Sequence, residues 1–161
     1  MDFDSALGKF GVGIRIWIRS PIHQSGKIQK NVRLCSYKLA FDCSNNEAEY
    51  EALITGLKIL KKLGAKRISV NGDSELVIKQ VKGEYQEKHP RMRAYRNVVL
   101  DILKMFPEYT LSVVPRSQKL MEDSLATIAS NFNILQLINS TLIIIIKPRS
   151  STNTSLIDNI D

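Results

Sequence analysis

Apolar and polar residues alternate near the start of the chain, in the pattern of a half-buried β-strand. Over residues 12–18 one face carries only aliphatic side chains: Val12, Ile14, Ile16 and Ile18. This period of two predicts a strand with that face in the core. Turn-forming residues over 20–30 and a return strand over 32–40 complete a predicted hairpin. We expect a very short strand, ending near Asp4, to precede the hairpin.

Beyond residue 45 the apolar spacing changes to that of helices. A helix is predicted over residues 46–63, before Gly64, with an apolar stripe of Leu53, Leu57, Leu60 and Leu63. The later predicted elements are a strand over 67–71, a short helix over 74–81, a helix from Pro90 to Pro107, a strand over 109–113 and a helix over 119–129. The order β-β-β-α-β-α-α-β-α predicts an α/β fold. Its mixed five-stranded sheet, with three antiparallel strands and then parallel strands, is flanked by helices.

The chain changes character after residue 130. Residues 131–161 combine the run L-I-I-I-I with Ser, Thr and Asn, and no periodic pattern persists. We therefore expect one folded domain over residues 1–130 and a poorly ordered tail over residues 131–161. An edge strand and a partner-docking segment are the two alternatives for the apolar run.

Composition and charge narrow the class of protein. The 161 residues, 43% of them hydrophobic, suffice for one core, and the net charge of +7 favours a polyanionic partner. Cys35 and Cys43 are too few for a disulfide framework or a zinc site, so free thiols are expected. The N-terminus lacks a secretory pattern, and the apolar run over 142–146 is too short for a membrane span. We expect an intracellular protein with no membrane partner.

Three glutamates occupy alternate positions at the start of the long helix over 46–63. Each helical residue turns the side chain by about 100°, which places Glu49 close to the stripe that carries Leu53 and Leu60. Glu47 and Glu51 point about 160° away and are predicted to be surface acids. An acid that faces the core is costly unless something compensates its charge. The alternative for Glu49 is a half-exposed acid stabilised by the helix dipole.

Three further acids, Asp4, Asp73 and Asp123, lie at predicted strand ends or helix starts. Side chains at such positions converge on one edge of an α/β sheet. Taken singly, a turn residue, a helix cap and a first-turn surface charge explain them. Taken with Glu49, they predict a divalent-cation site. Oxygen ligands without a His or Cys cluster suit Mg²⁺ or Mn²⁺.

The acids lie within longer motifs: F-D (3–4), G-V-G-I (11–14), L-A-F-D-C-S-N-N-E-A-E-Y-E-A-L (39–53), G-D-S-E-L-V-I-K-Q-V-K-G-E-Y (72–85), V-P-R (114–116) and E-D-S-L-A-T-I-A-S (122–130). Through these motifs the chain resembles the ribonuclease H family, and most closely the ribonuclease H domain of long-terminal-repeat retroelement polyproteins. The resemblance implies a ribonuclease H-like fold. It also implies a metal-dependent endonuclease that hydrolyses the RNA strand of RNA–DNA hybrids.

The resemblance also implies roles for individual residues. It makes Asp4, Glu49, Asp73 and Asp123 the catalytic ligands of two Mg²⁺ ions, for which Mn²⁺ is a possible substitute. It assigns four residues to substrate binding: Asn45, Asn46, Ser74 and Arg116. The two asparagines would reach the minor groove of the hybrid, where base edges and 2′-hydroxyls are accessible. Helix capping, by Asn45 or Ser44, is the alternative for this pair of asparagines.

Two departures from the family pattern bear on activity. Ser5 follows Asp4 where the family usually has Gly, and only three residues precede Asp4, fewer than in the family's first strand. One alternative is therefore a catalytically weak or inactive nucleic-acid-binding remnant of a retroelement. A metal-dependent exonuclease of the wider superfamily is a third hypothesis. We expect a monomer, expressed alone or within a reverse-transcriptase polyprotein.

Overall fold

The fold is a mixed β-sheet with helices, seen in a computed structural model that describes residues 1–8, 11–24, 27–115, 144–147 and 150. The described elements are β1 Asp2–Gly8, β2 Gly11–Gln24, β3 Lys27–Leu39, α1 Asn45–Lys62, β4 Arg67–Gly72, α2 Glu75–Lys82, α3 Pro90–Leu103, β5 Glu108–Val113 and β6 Ile144–Lys147. The strand order is β5-β4-β1-β2-β3-β6.

The sheet contains the five predicted strands in the predicted arrangement. Strands β1, β2 and β3 pair antiparallel, and β4 and β5 continue the sheet in parallel beside β1. The α/β fold class is thereby confirmed. A sixth strand, β6, pairs in parallel with Ser36–Leu39 of β3. It comes from the apolar run, for which an edge strand was one alternative. The helix over 119–129 and the boundary near residue 130 lie outside the described residues and stay predictions.

The first hairpin is longer than predicted. Strand β1 continues past Asp4, because its ladder with β2 runs from the pair Asp2–Trp17 to the pair Gly8–Gly11. Both strands also extend into the region 20–30 that was predicted as a turn, since β2 and β3 pair as far as Gln24 and Lys27. Past Trp17, the pairing of β2 among the described residues is with β3, so a proline at residue 21 is tolerated on the opposite, edge side of the strand. Cross-strand pairing therefore overrides the turn-forming composition.

The core lies between the sheet and the helices. The predicted core side chains of the helix from Pro90 are all buried: Tyr95, Val98, Val99, Ile102 and Phe106. In α1, Leu53, Leu57 and Leu60 are buried as predicted. Leu63 is 47% exposed, contrary to prediction, because it caps the C-terminus of α1, where the chain leaves the helix. Helix α1 is buried on two sides, by the sheet and by α3.

The second buried side of α1 corrects the prediction for Glu47 and Glu51. Both are buried, and Glu51 is fully so. One Glu51 oxygen accepts hydrogen bonds from Tyr95 Oη at 2.8 Å and from the Ser150 amide at 2.8 Å, and the other accepts from Ser150 Oγ at 2.5 Å. Glu47 pairs with Arg91 of α3 at 3.1 Å. The positions of residues around the α1 helix do not reveal which other element covers the side that faces away from the sheet.

Removing the hydroxyl group of Tyr95 is expected to destabilise the fold. In Tyr95→Phe a buried carboxylate, Glu51, loses one donor, and we expect the free energy of unfolding to fall by about 1–3 kcal/mol. Urea denaturation measures this loss. Tyr85→Phe is the matched control, because Tyr85 is 42% exposed, and it should change stability by less than about 0.5 kcal/mol. Equal effects of the two substitutions would contradict the role assigned to the Tyr95 hydroxyl.

Candidate functional site

Strands β1 and β4 bring Asp4 and Asp73 to neighbouring positions. The strands are parallel, and Phe3 of β1 is in register with Gly72 of β4. The Phe3 ring lies directly over Gly72, where a Cβ atom would approach its Cζ to 2.5 Å. Glycine thus permits the close contact of ring and backbone. Asp4 directly follows Phe3, and Asp73 directly follows Gly72. The two acids therefore lie side by side on neighbouring segments.

Helix α1 supplies the third acid from its second turn. A capping box fixes the helix start: Ser44 Oγ accepts from the Glu47 amide at 3.2 Å, and Glu47 Oε2 accepts from the Ser44 amide at 3.0 Å. Asn45 is exposed and Asn46 half-buried at this end, while Glu49 is only 2% exposed. The inward orientation that helix phase predicts for Glu49 is present in the structure.

The three carboxylates converge. One oxygen from each of Asp4, Glu49 and Asp73 can be chosen so that all three lie within 4.8 Å of one another. Asp4 is 8% exposed and Asp73 half-buried. Arg15, opposite Asp4 on β2, places Nη2 2.7 Å from Asp4 Oδ2. Its guanidinium also lies 5.6 Å from the centre of the Trp17 ring.

Glu49 has two chemically different oxygens. Oε1 accepts hydrogen bonds from the Ser5 amide at 3.0 Å and from Ser5 Oγ at 2.6 Å. Oε2 is buried and has no hydrogen-bond partner among the described residues. Burial raises the pKa of Glu49 to about 7, against the lowering effect of the Ser5 hydroxyl, and the charges of Asp73 and Asp4 raise it further. Near neutral pH this carboxyl is therefore about half protonated when no cation is present.

The donor set fits a hard divalent cation. It consists only of carboxylate oxygens, which Mg²⁺ and Mn²⁺ prefer. One of its members, Glu49, has a buried oxygen without a hydrogen-bond partner in the described part of the chain. A buried, unpaired carboxylate is costly, and a bound cation offsets that cost. The same charge favours the ionised form of Glu49 and so reverses the shift of its pKa.

Known proteins share both sequence and fold with this chain. A family described as reverse transcriptase-like matches residues 11–129. Ribonuclease HI of Halobacterium salinarum is 36% identical over 83 residues, 52% of this chain and 42% of that protein. The crystal structure of ribonuclease H1 from that archaeon has a TM-score of 0.60 and 27% identity, covering 73% of this chain and 85% of that one. The chain belongs to the ribonuclease H family.

Two other relatives extend the comparison. The crystal structure of LC11-RNase H1 in complex with RNA/DNA hybrid has a TM-score of 0.55 and 25% identity, over 73% of this chain and 85% of that one. An uncharacterized protein of Bacillus subtilis is 31% identical over 130 residues, 78% of this chain and 53% of that protein. The chain thus spans less than two thirds of these curated relatives. The predicted ribonuclease H-like fold is confirmed.

The other predicted site residues of this ribonuclease H fold have different outcomes. Asp123 and Arg116 lie outside the described residues, so their roles stay predictions. Ser74 is the N-cap of α2, and its hydroxyl lies 3.4 Å from the Val77 amide. Asn45 Oδ1 lies 3.1 Å from Ser5 Oγ, and neither asparagine is the N-cap, which is Ser44. The substrate roles of these residues are untested.

Sequence reasoning missed two neighbours of the acids, Ser5 and Arg15. In the sequence Ser5 is only a departure from the family's glycine, although its position next to Asp4 is a signal for a hydrogen-bond donor near the acids. Arg15 lies on the polar face of β2, and only the hairpin register places it opposite Asp4. Cys35 and Cys43 are both half-buried. Among the described residues, no helix has the length and apolar character needed to cross a bilayer.

Proposed function

We propose that this chain is a metal-dependent endonuclease that hydrolyses the RNA strand of RNA–DNA hybrids. The observation that carries the proposal is the convergence of Asp4, Glu49 and Asp73 within 4.8 Å. The family relationship supports the reaction type, and the relative solved with an RNA/DNA hybrid supports the substrate class. The net charge of +7 is favourable for a polyanionic substrate.

Each site residue has a proposed task. Asp4, Glu49 and Asp73, with Asp123 as a fourth ligand, hold two Mg²⁺ ions or their Mn²⁺ substitutes. Bound ions of this kind activate a water molecule and stabilise the leaving oxygen of a phosphodiester. Asp4 lies on β1, Asp73 directly follows β4 and Glu49 lies on a capped helix, so the three acids are oriented before substrate arrives.

Four residues are proposed to contact the substrate. Asn45 and Asn46, at the first turn of α1, offer amide groups to the minor groove of the hybrid, which displays base edges and 2′-hydroxyls. Ser74 follows Asp73 and offers its hydroxyl to a phosphate or a sugar. Arg116 supplies a positive charge to the phosphate backbone.

A cleavage assay tests the proposed function. The wild-type protein should cleave the RNA strand of a labelled hybrid in Mg²⁺, and Asp73→Asn should lower the rate at least about 100-fold, because a ligand loses its charge. Asp101→Asn is the matched control, since Asp101 lies on α3 beside Lys104 and outside the acidic cluster. No cleavage by wild type, or equal cleavage by Asp73→Asn, would reject the proposal. Cleavage of single-stranded DNA in place of hybrid would identify an exonuclease of the wider superfamily.

A binding module without catalysis is the second candidate. It is favoured by the contact of Arg15 with Asp4 at 2.7 Å, because a guanidinium that stays there competes with a cation for a ligand oxygen. This candidate predicts salt-sensitive binding of the hybrid and no turnover in Mg²⁺. Turnover that depends on Asp73 would exclude it.

The finer origin of the chain is also a proposal. We infer descent from a retroelement, because the matching family is described as reverse transcriptase-like. The chain would then work as a monomer or as one part of a reverse-transcriptase polyprotein. Size-exclusion chromatography with light scattering tests the monomer, and a dimer mass at micromolar concentration would contradict it.

A further inference from the structure

Ser5 makes a two-donor contact with one carboxylate oxygen of Glu49. Its amide lies 3.0 Å and its hydroxyl 2.6 Å from Glu49 Oε1. The amide is available because β4, which pairs with β1 at Asp2 and Phe3, ends at Gly72. Where β4 ends, Glu49 of α1 provides the acceptor for the β1 backbone. Both residues are buried, with Ser5 8% and Glu49 2% exposed.

The hydroxyl of Ser5 is confined between two residues of α1. It lies 2.6 Å from Glu49 Oε1 and 3.1 Å from Asn45 Oδ1, one helical turn earlier. A hydroxyl carries one proton, and the shorter contact to the more strongly accepting carboxylate holds it. A glycine at residue 5 would retain only the amide donor. The hydroxyl contact is therefore a property of this chain's own sequence.

The contact leaves the two oxygens of Glu49 unequal. Oε1 is occupied by two donors, whereas Oε2 is buried and lacks a hydrogen-bond partner among the described residues. A carboxylate free to rotate would exchange its oxygens or offer both to a cation. With Oε1 held, the group presents Oε2 in a fixed direction. Hydrogen bonds of this kind orient metal ligands and affect metal affinity.

We propose that Ser5 is a positioning residue, whose hydroxyl holds Oε1 of Glu49 so that Oε2 is the oxygen offered to a divalent cation. This inference rests on the proposed function for the identity of the cation site. It concerns metal binding, however, and can be tested without substrate. Ser5 itself contacts neither the cation nor the reacting atoms.

Metal affinity is the decisive measurement. Calorimetric titration of the substrate-free full chain with Mn²⁺ should show binding about 10- to 100-fold weaker in Ser5→Ala than in wild type. Ser5→Thr keeps the hydroxyl and should restore affinity to within about 3-fold of wild type. Thr55→Ala is the control, because it removes a buried hydroxyl that donates to the Glu51 carbonyl of its own helix at 2.7 Å. Thr55→Ala should bind Mn²⁺ like wild type.

The outcomes separate this inference from the proposed function. Weaker Mn²⁺ binding in Ser5→Ala with rescue by Ser5→Thr supports it, even if wild type binds Mn²⁺ and cleaves no hybrid. Equal affinities of wild type and Ser5→Ala would overturn it, even if wild type cleaves. Loss of affinity in both serine variants, with matching losses of thermal stability, would also overturn it, because the role would then be structural. Absence of Mn²⁺ binding by wild type would reject the inference together with the cation site.

Discussion

Glu49→Gln is expected to lower hybrid cleavage at least about 100-fold and, at the same time, to stabilise the metal-free protein at pH 8. The loss of activity follows from the proposed role of Glu49 as a cation ligand in the acidic cluster. The gain in stability follows from burial, which raises the pKa of Glu49 from an ordinary 4.5 to about 7. Glutamine keeps an acceptor for Ser5 and places an amide donor near Asp4 and Asp73.

The sign of the stability effect follows from linkage. When the pKa of a carboxyl is higher in the folded state, its contribution to stability is complete below the unfolded-state pKa. The contribution is lost as the pH rises through the folded-state pKa, which for Glu49 is about 7. At pH 8 the charged Glu49 side chain opposes folding by about 2–3 kcal/mol. Glutamine has no proton to lose, so its stability curve should lack this fall.

Two measurements check this prediction with one variant. Urea unfolding in EDTA at pH 5 and at pH 8 should show the advantage of Glu49→Gln only at the higher pH. Glu84→Gln serves as the control, since Glu84 is exposed and pairs with Lys82 outside the cluster. It should leave both cleavage and the pH dependence unchanged. A Glu49→Gln protein that is less stable than wild type at pH 8 would show that the carboxylate is already compensated without a cation.

Helix phase was sufficient to find the inward acid, but insufficient to describe the rest of α1. The position of Glu49 relative to Leu53 and Leu60 depends only on local geometry, which the sequence contains. The burial of Glu47 and Glu51 depends on α3 and on Ser150, which are distant in sequence. A helix that packs on two sides buries more of its circumference than its single apolar face covers. Its buried acids then look like surface residues in the sequence.

The prediction of the length of the first hairpin failed for a related reason. Composition predicts a turn over residues 20–30, but the ladder between β2 and β3 extends into this region as far as Gln24 and Lys27. Strand pairing is a contact between segments, and propensity within one segment does not determine it. The same limit applies to the site. Asp4 and Asp73 were recognisable as acids beside strands, whereas the contact of Ser5 with Glu49 needed the register of β1, β4 and α1.

Removing divalent cations should destabilise the wild-type protein in a pH-dependent manner. Cation binding at the acidic cluster stabilises the folded state by about 2.7 kcal/mol when the free cation is at 100 times its dissociation constant. At pH 8 the Glu49 carboxyl is ionised and available, whereas at pH 5 a cation must displace its proton, because the pKa is about 7. At one fixed Mn²⁺ concentration the rise in unfolding temperature should therefore be larger at pH 8 than at pH 5.

Proton release makes this prediction independent of thermal unfolding. Because burial raises the pKa of Glu49 to about 7, part of the Glu49 population is protonated near neutral pH, and binding of Mn²⁺ should release a fraction of a proton per protein from this group. Calorimetry in two buffers of different ionisation enthalpy measures that number. Asp73→Asn should abolish both the release and the thermal shift, while Asp101→Asn keeps them. Mn²⁺ stabilisation that is equal at both pH values, without proton release, would place the cation away from Glu49.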